Sequence, residues 1–148
     1  HTWLRRQRQM CIRDRDNLKM SGYPAKVKSF DWVGNTPYLV TSGANQAICW
    51  PFDGKDGPKG RKPICVADGG KQYSTFIKSL PDEEAIFTGF RDGTVLLSEI
   101  DENKNANIIR NPTGAEVTTI ALTSDRSHIL IGDSKGSILW STLWAGRE

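Results

Sequence analysis

Residues Glu84–Ile100 read EAIFTGFRDGTVLLSEI, two short apolar runs joined at Asp92-Gly93. Isoleucine, phenylalanine, valine and leucine pack well on a pleated surface, and Asp-Gly readily takes the positive φ angles of a tight turn, so the stretch predicts a β-hairpin. The pattern recurs on both sides. Ahead of it stand Thr36–Ser42 (TPYLVTS), a turn at Gly43–Gln46 and Ala47–Phe52 (AICWPF). Behind it stand Ser127–Gly132 (SHILIG), a turn at Asp133–Gly136 and Ser137–Leu143 (SILWSTL).

Each hairpin is flanked by two further short runs. Val27–Trp32, Ser74–Ser79 and Val117–Thr123 precede the three hairpins, Pro63–Ala67 and Asn107–Arg110 follow the first two, and turns are expected at Gly34-Asn35, Pro81-Asp82 and Ser124–Arg126. No segment carries a helical period. The expected class is all-β, with units at about 25–67, 73–111 and 116–148. Val27, Ser74 and Val117 are spaced by 47 and 43 residues, and Trp50, Leu97 and Trp140 repeat those intervals near the end of the third strand. A period of roughly 40–45 residues with four strands per unit is that of propeller blades. A β-sandwich, whose strands need not repeat, is the competing architecture.

Residues 1–15, HTWLRRQRQMCIRDR, stand apart from this pattern. The part RRQRQMCIRDR resembles the translation of a transposase-type sequencing adapter, so residues 1–15 are read as non-native and set aside. Excluding them changes the charge argument. The chain has 20 basic and 17 acidic residues; five Arg and one Asp belong to the leader, which leaves 15 against 16, a net charge of −1 with His neutral. The basic excess that would point to nucleic acid goes with the leader. No apolar run reaches the ~20 residues that span a bilayer, so neither nucleic acid nor membrane is an expected partner.

Chemistry-bearing motifs are sparse. Cys49 and Cys65 lie on different expected strands without a CxxC or histidine set, which reads as two buried free thiols, compatible with a reducing cytoplasm. Asp92-Gly93 is a turn signal, while Asp82-Glu83-Glu84 and Asp101-Glu102 read as solvated strand ends. Gly54–Gly60 and Gly70-Lys71 lack the order of a phosphate loop. No catalytic residue, metal site or cofactor is expected. Lys55, Lys59, Arg61 and Lys62 form a basic cluster, read as a solvated loop.

From Asp16 to Glu148 the chain resembles the WD-repeat family. The resemblance lies in Ser42-Gly43 with Ile48-Cys49-Trp50, in Thr88-Gly89-Phe90-Arg91-Asp92-Gly93-Thr94-Val95, and in Gly132 with Gly136-Ser137-Ile138-Leu139-Trp140. It is most similar to bacterial, alphaproteobacterial-type members, which share an SGYPAKV approach and a WPF…KDGP-x-G segment. The resemblance implies a propeller whose missing N-terminal blades belong to the same chain, with a last blade that borrows its outer strand from the protein's N-terminus. It also implies a non-catalytic scaffold for other proteins. Loops ahead of first strands and between second and third strands would gather on one face, giving Tyr23, Lys26, Phe90, Arg91, Asp133 and Lys135 as partner-facing candidates. Two departures matter. Gly22-Tyr23, Gly70-Lys71 and Gly114-Ala115 stand where the family has Gly-His, and Pro51 and Ser141 follow the tryptophans in place of Asp. The family's buried Asp-His-Ser/Thr-Trp network is therefore not expected as a set, and apolar packing is expected to carry rigidity. The alternative is an enzyme or ligand-binding propeller with a central-channel site completed by absent blades, for which Asp31 and Lys78 are the charged first-strand groups.

Overall fold

The computed structural model describes residues 22–34, 36–54, 57–80, 83–100 and 106–143. The adapter reading, Asn35, Lys55, Pro81-Asp82, Asp101-Glu102 and the last five residues lie outside them. The described residues form eleven strands and no helix. The first sheet holds β1 (Phe30–Trp32), β2 (Tyr38–Thr41), β3 (Ala47–Pro51) and β4 (Ile64–Val66). The second holds β5 (Ser74–Ser79), β6 (Ala85–Phe90), β7 (Val95–Glu99) and β8 (Ala106–Arg110). The third holds β9 (Val117–Leu122), β10 (His128–Asp133) and β11 (Ile138–Thr142). In every sheet the spatial order follows the chain order, and all pairings are antiparallel.

β1 is shorter than the run Val27–Trp32. The amides of Lys28 and Ser29 donate instead to the Ser42 hydroxyl at 3.1 Å each, so one side chain takes over as acceptor there while Ser42 N–H still donates to Ser29 O at 3.0 Å. The turns joining first and second strands repeat bond for bond. Val33, Leu80 and Thr123 each donate an amide to the carbonyl of Tyr38, Ala85 and His128, at spacings of 47 and 43 residues. The central hairpin also differs from the two-residue turn that Asp-Gly favours. Phe90 N–H bonds to Thr94 O and Gly93 N–H to Phe90 O, and of the Asp-Gly pair only Gly93 has positive φ, at 97°. Asp92 keeps an ordinary φ because its carboxylate accepts from the Thr94 amide at 3.1 Å and hydroxyl at 2.7 Å.

Register corrects one equivalence. Trp50, Leu97 and Trp140 all stand on the third strand of their sheets, but Leu97 pairs with Phe87 and Trp140 with Leu130, whereas Trp50 pairs with Leu39. The turns align Val40, not Leu39, with Phe87 and Leu130, and Val40 pairs with Cys49. Cys49 is therefore the counterpart of Leu97 and Trp140, and Trp50 that of Ser98 and Ser141. The first hairpin is one residue shorter than the other two, and a one-residue slip reverses the face on which a side chain lies.

The core sits between sheets. Ile77, Ile86, Phe90 and Leu96 of the second sheet pack with Val40, Ala47, Cys49 and Val66 of the first. Its other face brings Phe87 and Val95 against Val117, Ile120, Ile129 and Ile131 of the third. β6 is buried at every position because both its faces are covered, which is why AIFTGF reads as a continuous apolar run. Gly89 is required by this closeness. A Cβ there would lie 2.5 Å from Val117 Cγ1 of the next sheet. Polar clamps join first strands: Ser29 Oγ donates to Ile77 O at 3.3 Å and accepts from Ile77 N at 3.1 Å, Ser79 N and Oγ donate to Asp31 Oδ2 at 3.1 Å, and Thr75 Oγ1 donates to Val117 O at 2.7 Å. The outward faces of the first and third sheets leave Phe30 64%, Trp32 51%, Ile138 74% and Trp140 66% exposed.

Cys49 faces the second sheet. Its neighbour Cys65 pairs with Ile48, so the two side chains lie on opposite faces of adjacent strands; Cys49 is buried, Cys65, expected to be buried too, is only half-buried, and no disulfide joins them. Burial, with a smaller contribution from Cys65, pushes the Cys49 thiol up to about 12.

Candidate interaction face

The segment leading into each first strand and the turn between second and third strands lock together on one side of the molecule. Ala25 N–H bonds to Gly43 O; Gly43 N–H bonds to Ser74 O, and Ser74 N–H to Ala44 O. Arg91 N–H bonds to Tyr73 O, Thr113 and Gly114 N–H to Asp92 O, and Ser134 N–H to Glu116 O. Each turn is thus held by its own lead-in and, in the first two sheets, by the next one. Side chains add to these backbone bonds: Ser74 Oγ donates to Ala44 O at 2.9 Å, Asn45 Nδ2 donates to Gly70 O at 3.0 Å, and Glu116 N–H donates to Ser134 Oγ at 3.2 Å.

The candidate residues occupy very different environments on it. Lys26, Arg91 and Lys135 are exposed. Phe90 is not a surface anchor: it is 0% exposed, because the strand pleat turns it into the core between the first and second sheets. Asp133 shapes its own hairpin. Its carboxylate accepts from the Ser137 and Lys135 amides at 3.0 Å each and pairs with Arg110 at 3.3 Å, and these bonds, the Ser137 amide first, hold it below the usual carboxylate range.

Tyr23 is half-buried and does work inside the first sheet. Trp50 Nε1 donates to its hydroxyl at 2.7 Å, and that hydroxyl bonds Thr41 Oγ1 at 2.6 Å. The three side chains form a small hydrogen-bond network, with the Tyr23 phenol standing between the indole and the threonine hydroxyl. The other units lack it. Gly70 and Thr113 stand where Tyr23 would fall by the same spacing. In the second sheet the counterparts of Thr41 and Trp50 are Thr88 and Ser98, and both hydroxyls are buried without a hydrogen-bond partner. The second sheet therefore has no counterpart of this three-residue network, and side-chain hydrogen bonds run from its first strand to the neighbouring sheets instead.

A cleft of about 390 Å³ opens on this face, lined by Pro24, Ala25, Lys26, Lys28, Tyr73, Ser74, Thr75 and Arg91. Arg91 lies over the Tyr73 ring, 5.0 Å from its centroid. Lys28 reaches across to Glu116 of the third unit at 2.7 Å. Tyr73, Lys28 and Glu116 were not singled out by sequence reasoning. The only available signal was that Lys26, Tyr73 and Glu116 share the 47- and 43-residue spacing, each just ahead of its first strand. The basic loop lies elsewhere, and its Arg61 pairs with Asp53 at 2.7 Å. Among the described residues no group of His, Cys, Asp and Glu side chains is arranged to hold a metal ion, and no helix is long and apolar enough to cross a membrane.

No protein-family model matches the chain, and no curated protein matches it. Solved structures do. A chain in the crystal structure of the Mitotic Checkpoint Complex superposes with a TM-score of 0.55 at 14% identity, covering 82% of this chain and 35% of that one. The computationally designed Ika4 protein aligns at a TM-score of 0.45 and 12% identity, covering 84% of this chain and 96% of its own. The first likeness is one of fold, and this chain spans about a third of that chain's length. With sequential antiparallel meanders, two of four described strands and one of three, stacked through their first strands, the chain is all-β and forms part of a β-propeller of the kind its repeat predicted.

Proposed function

We propose that the chain is part of a WD-repeat-type propeller that acts as a non-catalytic scaffold for other proteins in a reducing, cytoplasmic setting. The observation that carries this reading is the face of interlocked lead-ins and turns, with Lys26 and Arg91 exposed beside a cleft. Further blades of the same protein cover the outward faces, where Phe30 and Trp32 at one end and Ile138 and Trp140 at the other offer the kind of apolar surface that is buried between the sheets. A central-channel enzyme is the weaker reading. Asp31, the acid such a site would use, already accepts from Trp32 and Ser79 with its two oxygens.

Site-directed crosslinking in the source cell tests the scaffold. Crosslinked partners should be lost when Lys26→Ala and Arg91→Ala are combined and kept when Glu83→Ala and Glu84→Ala alter the opposite rim. Loss with the second pair alone, or with neither, rejects this face.

A further inference from the structure

We infer that the cleft between the first and second units receives an acidic segment of a partner protein; this rests on the scaffold reading and specifies its chemistry. Three of the eight residues lining the cleft are cations, Lys26, Lys28 and Arg91, and none is a carboxylate. A volume of about 390 Å³ takes one or two side chains rather than a folded domain, at the small end of pockets that bind ligands. Among the described residues neither Lys26 nor Arg91 has a carboxylate partner. Arg91 is held by its amide bond to Tyr73 O and by its stack on the Tyr73 ring, which leaves the guanidinium N–H fork free to meet an anion.

Lys28 is the third cation, and it is occupied. Glu116 holds its ammonium at 2.7 Å, with the two side chains 42% and 26% exposed. An incoming carboxylate or phosphate therefore competes with Glu116 for Lys28. The site is built from the lead-ins of the first two units and the turn of the second hairpin, with Glu116 of the third unit holding Lys28, so its charge depends on the register between blades and not on a run of basic sequence. Such a cleft favours a short anionic stretch carrying an apolar neighbour, which Pro24, Ala25 and the Tyr73 ring can meet.

The test uses the chain with a fluorescein-labelled octaglutamate peptide, a phosphoserine peptide of equal length and a single-stranded DNA oligonucleotide, read by anisotropy. Octaglutamate or phosphoserine peptide binding should weaken by roughly tenfold or more in Lys26→Glu/Arg91→Glu, as opposed charges do when they become like charges. It should be unchanged in Lys59→Glu/Lys62→Glu, which carries the same charge change elsewhere. Glu116→Gln, which frees Lys28, should tighten it. Whichever peptide binds more tightly identifies the anionic group. The inference is overturned if both double variants weaken binding equally, if Glu116→Gln has no effect or weakens it, or if the oligonucleotide binds more tightly than either peptide. The scaffold reading fails separately: crosslinked partners kept in Lys26→Ala/Arg91→Ala reject the face, whereas partners lost there together with a negative peptide result reject only the acidic ligand.

Discussion

Replacing Tyr23 by phenylalanine removes one oxygen and leaves the ring, so it isolates the polar network of the first sheet. In the native structure that oxygen accepts from Trp50 Nε1 at 2.7 Å and bonds Thr41 Oγ1 at 2.6 Å. Thr41 has a second acceptor, Ile48 O at 3.4 Å, so its loss is softened; Trp50 has no other acceptor given by the geometry. A typical internal hydrogen bond contributes about 0.5–1.5 kcal/mol, and a buried donor left without a partner costs about 1–3 kcal/mol. Trp50 and Tyr23 are half-buried, so water recovers part of that cost, and the net loss expected is about 2 kcal/mol. With a urea dependence of about 1–3 kcal/mol per molar, the unfolding midpoint should fall by roughly 1 M. Tryptophan fluorescence and far-UV circular dichroism followed through the same urea titration measure it. In a double-mutant cycle with Thr41→Val the two losses should be less than additive, because each change already breaks the shared bond. A shift below about 0.5 kcal/mol, or strict additivity with Thr41→Val, refutes the claim that Tyr23 locks this sheet.

Four further outcomes follow from the same geometry. The orphaned hydroxyl of Thr88 means that Thr88→Val should stabilise the chain by about 1 kcal/mol in urea titration, since it removes an unsatisfied buried polar group at almost constant shape. Gly89→Ala should destabilise by about 1–3 kcal/mol through overpacking against Val117, and Val117→Ala in the same chain should relieve part of that loss, because it removes the Cγ1 contact at 2.5 Å while the Cβ contact at 2.7 Å persists. Cys49 titrates at about 12 when folded and at about 8.5 when unfolded, so its contribution is complete below about pH 8.5 and fades as pH rises toward 12. Mass-mapped alkylation at about pH 8.5 should label Cys49 only on unfolding, which native labelling would contradict. Asp125 runs the opposite way. Hydrogen bonds from the Ser127 hydroxyl and amide and from Thr123 pull it down to about 2, so its contribution is present above about pH 4 and lost as pH falls toward 2, which a carboxyl NMR titration would follow.

Strands, turns and their repeat were legible in the chain because they rest on chemistry within a few residues. The alternation of apolar runs with turns at Gly43–Gln46, Asp92-Gly93 and Asp133–Gly136 placed all three hairpins, and the 47- and 43-residue spacing of first strands reappears in the turn hydrogen bonds. Other features required neighbours that the sequence does not place side by side. One residue fewer in the first hairpin moved Trp50 to the face opposite that of Leu97 and Trp140, a difference in loop geometry that spacing along the chain cannot reveal. Phe90 stood beside an exposed turn in sequence yet points into the core, since the pleat decides its direction. Tyr23 finds Thr41 and Trp50 across 18 and 27 residues, and the cationic cleft draws on two lead-ins and a hairpin turn. Local propensity specifies the strands, because backbone conformation is settled residue by residue. The faces those strands present, and the charges that converge between them, arise only when one blade is stacked on the next.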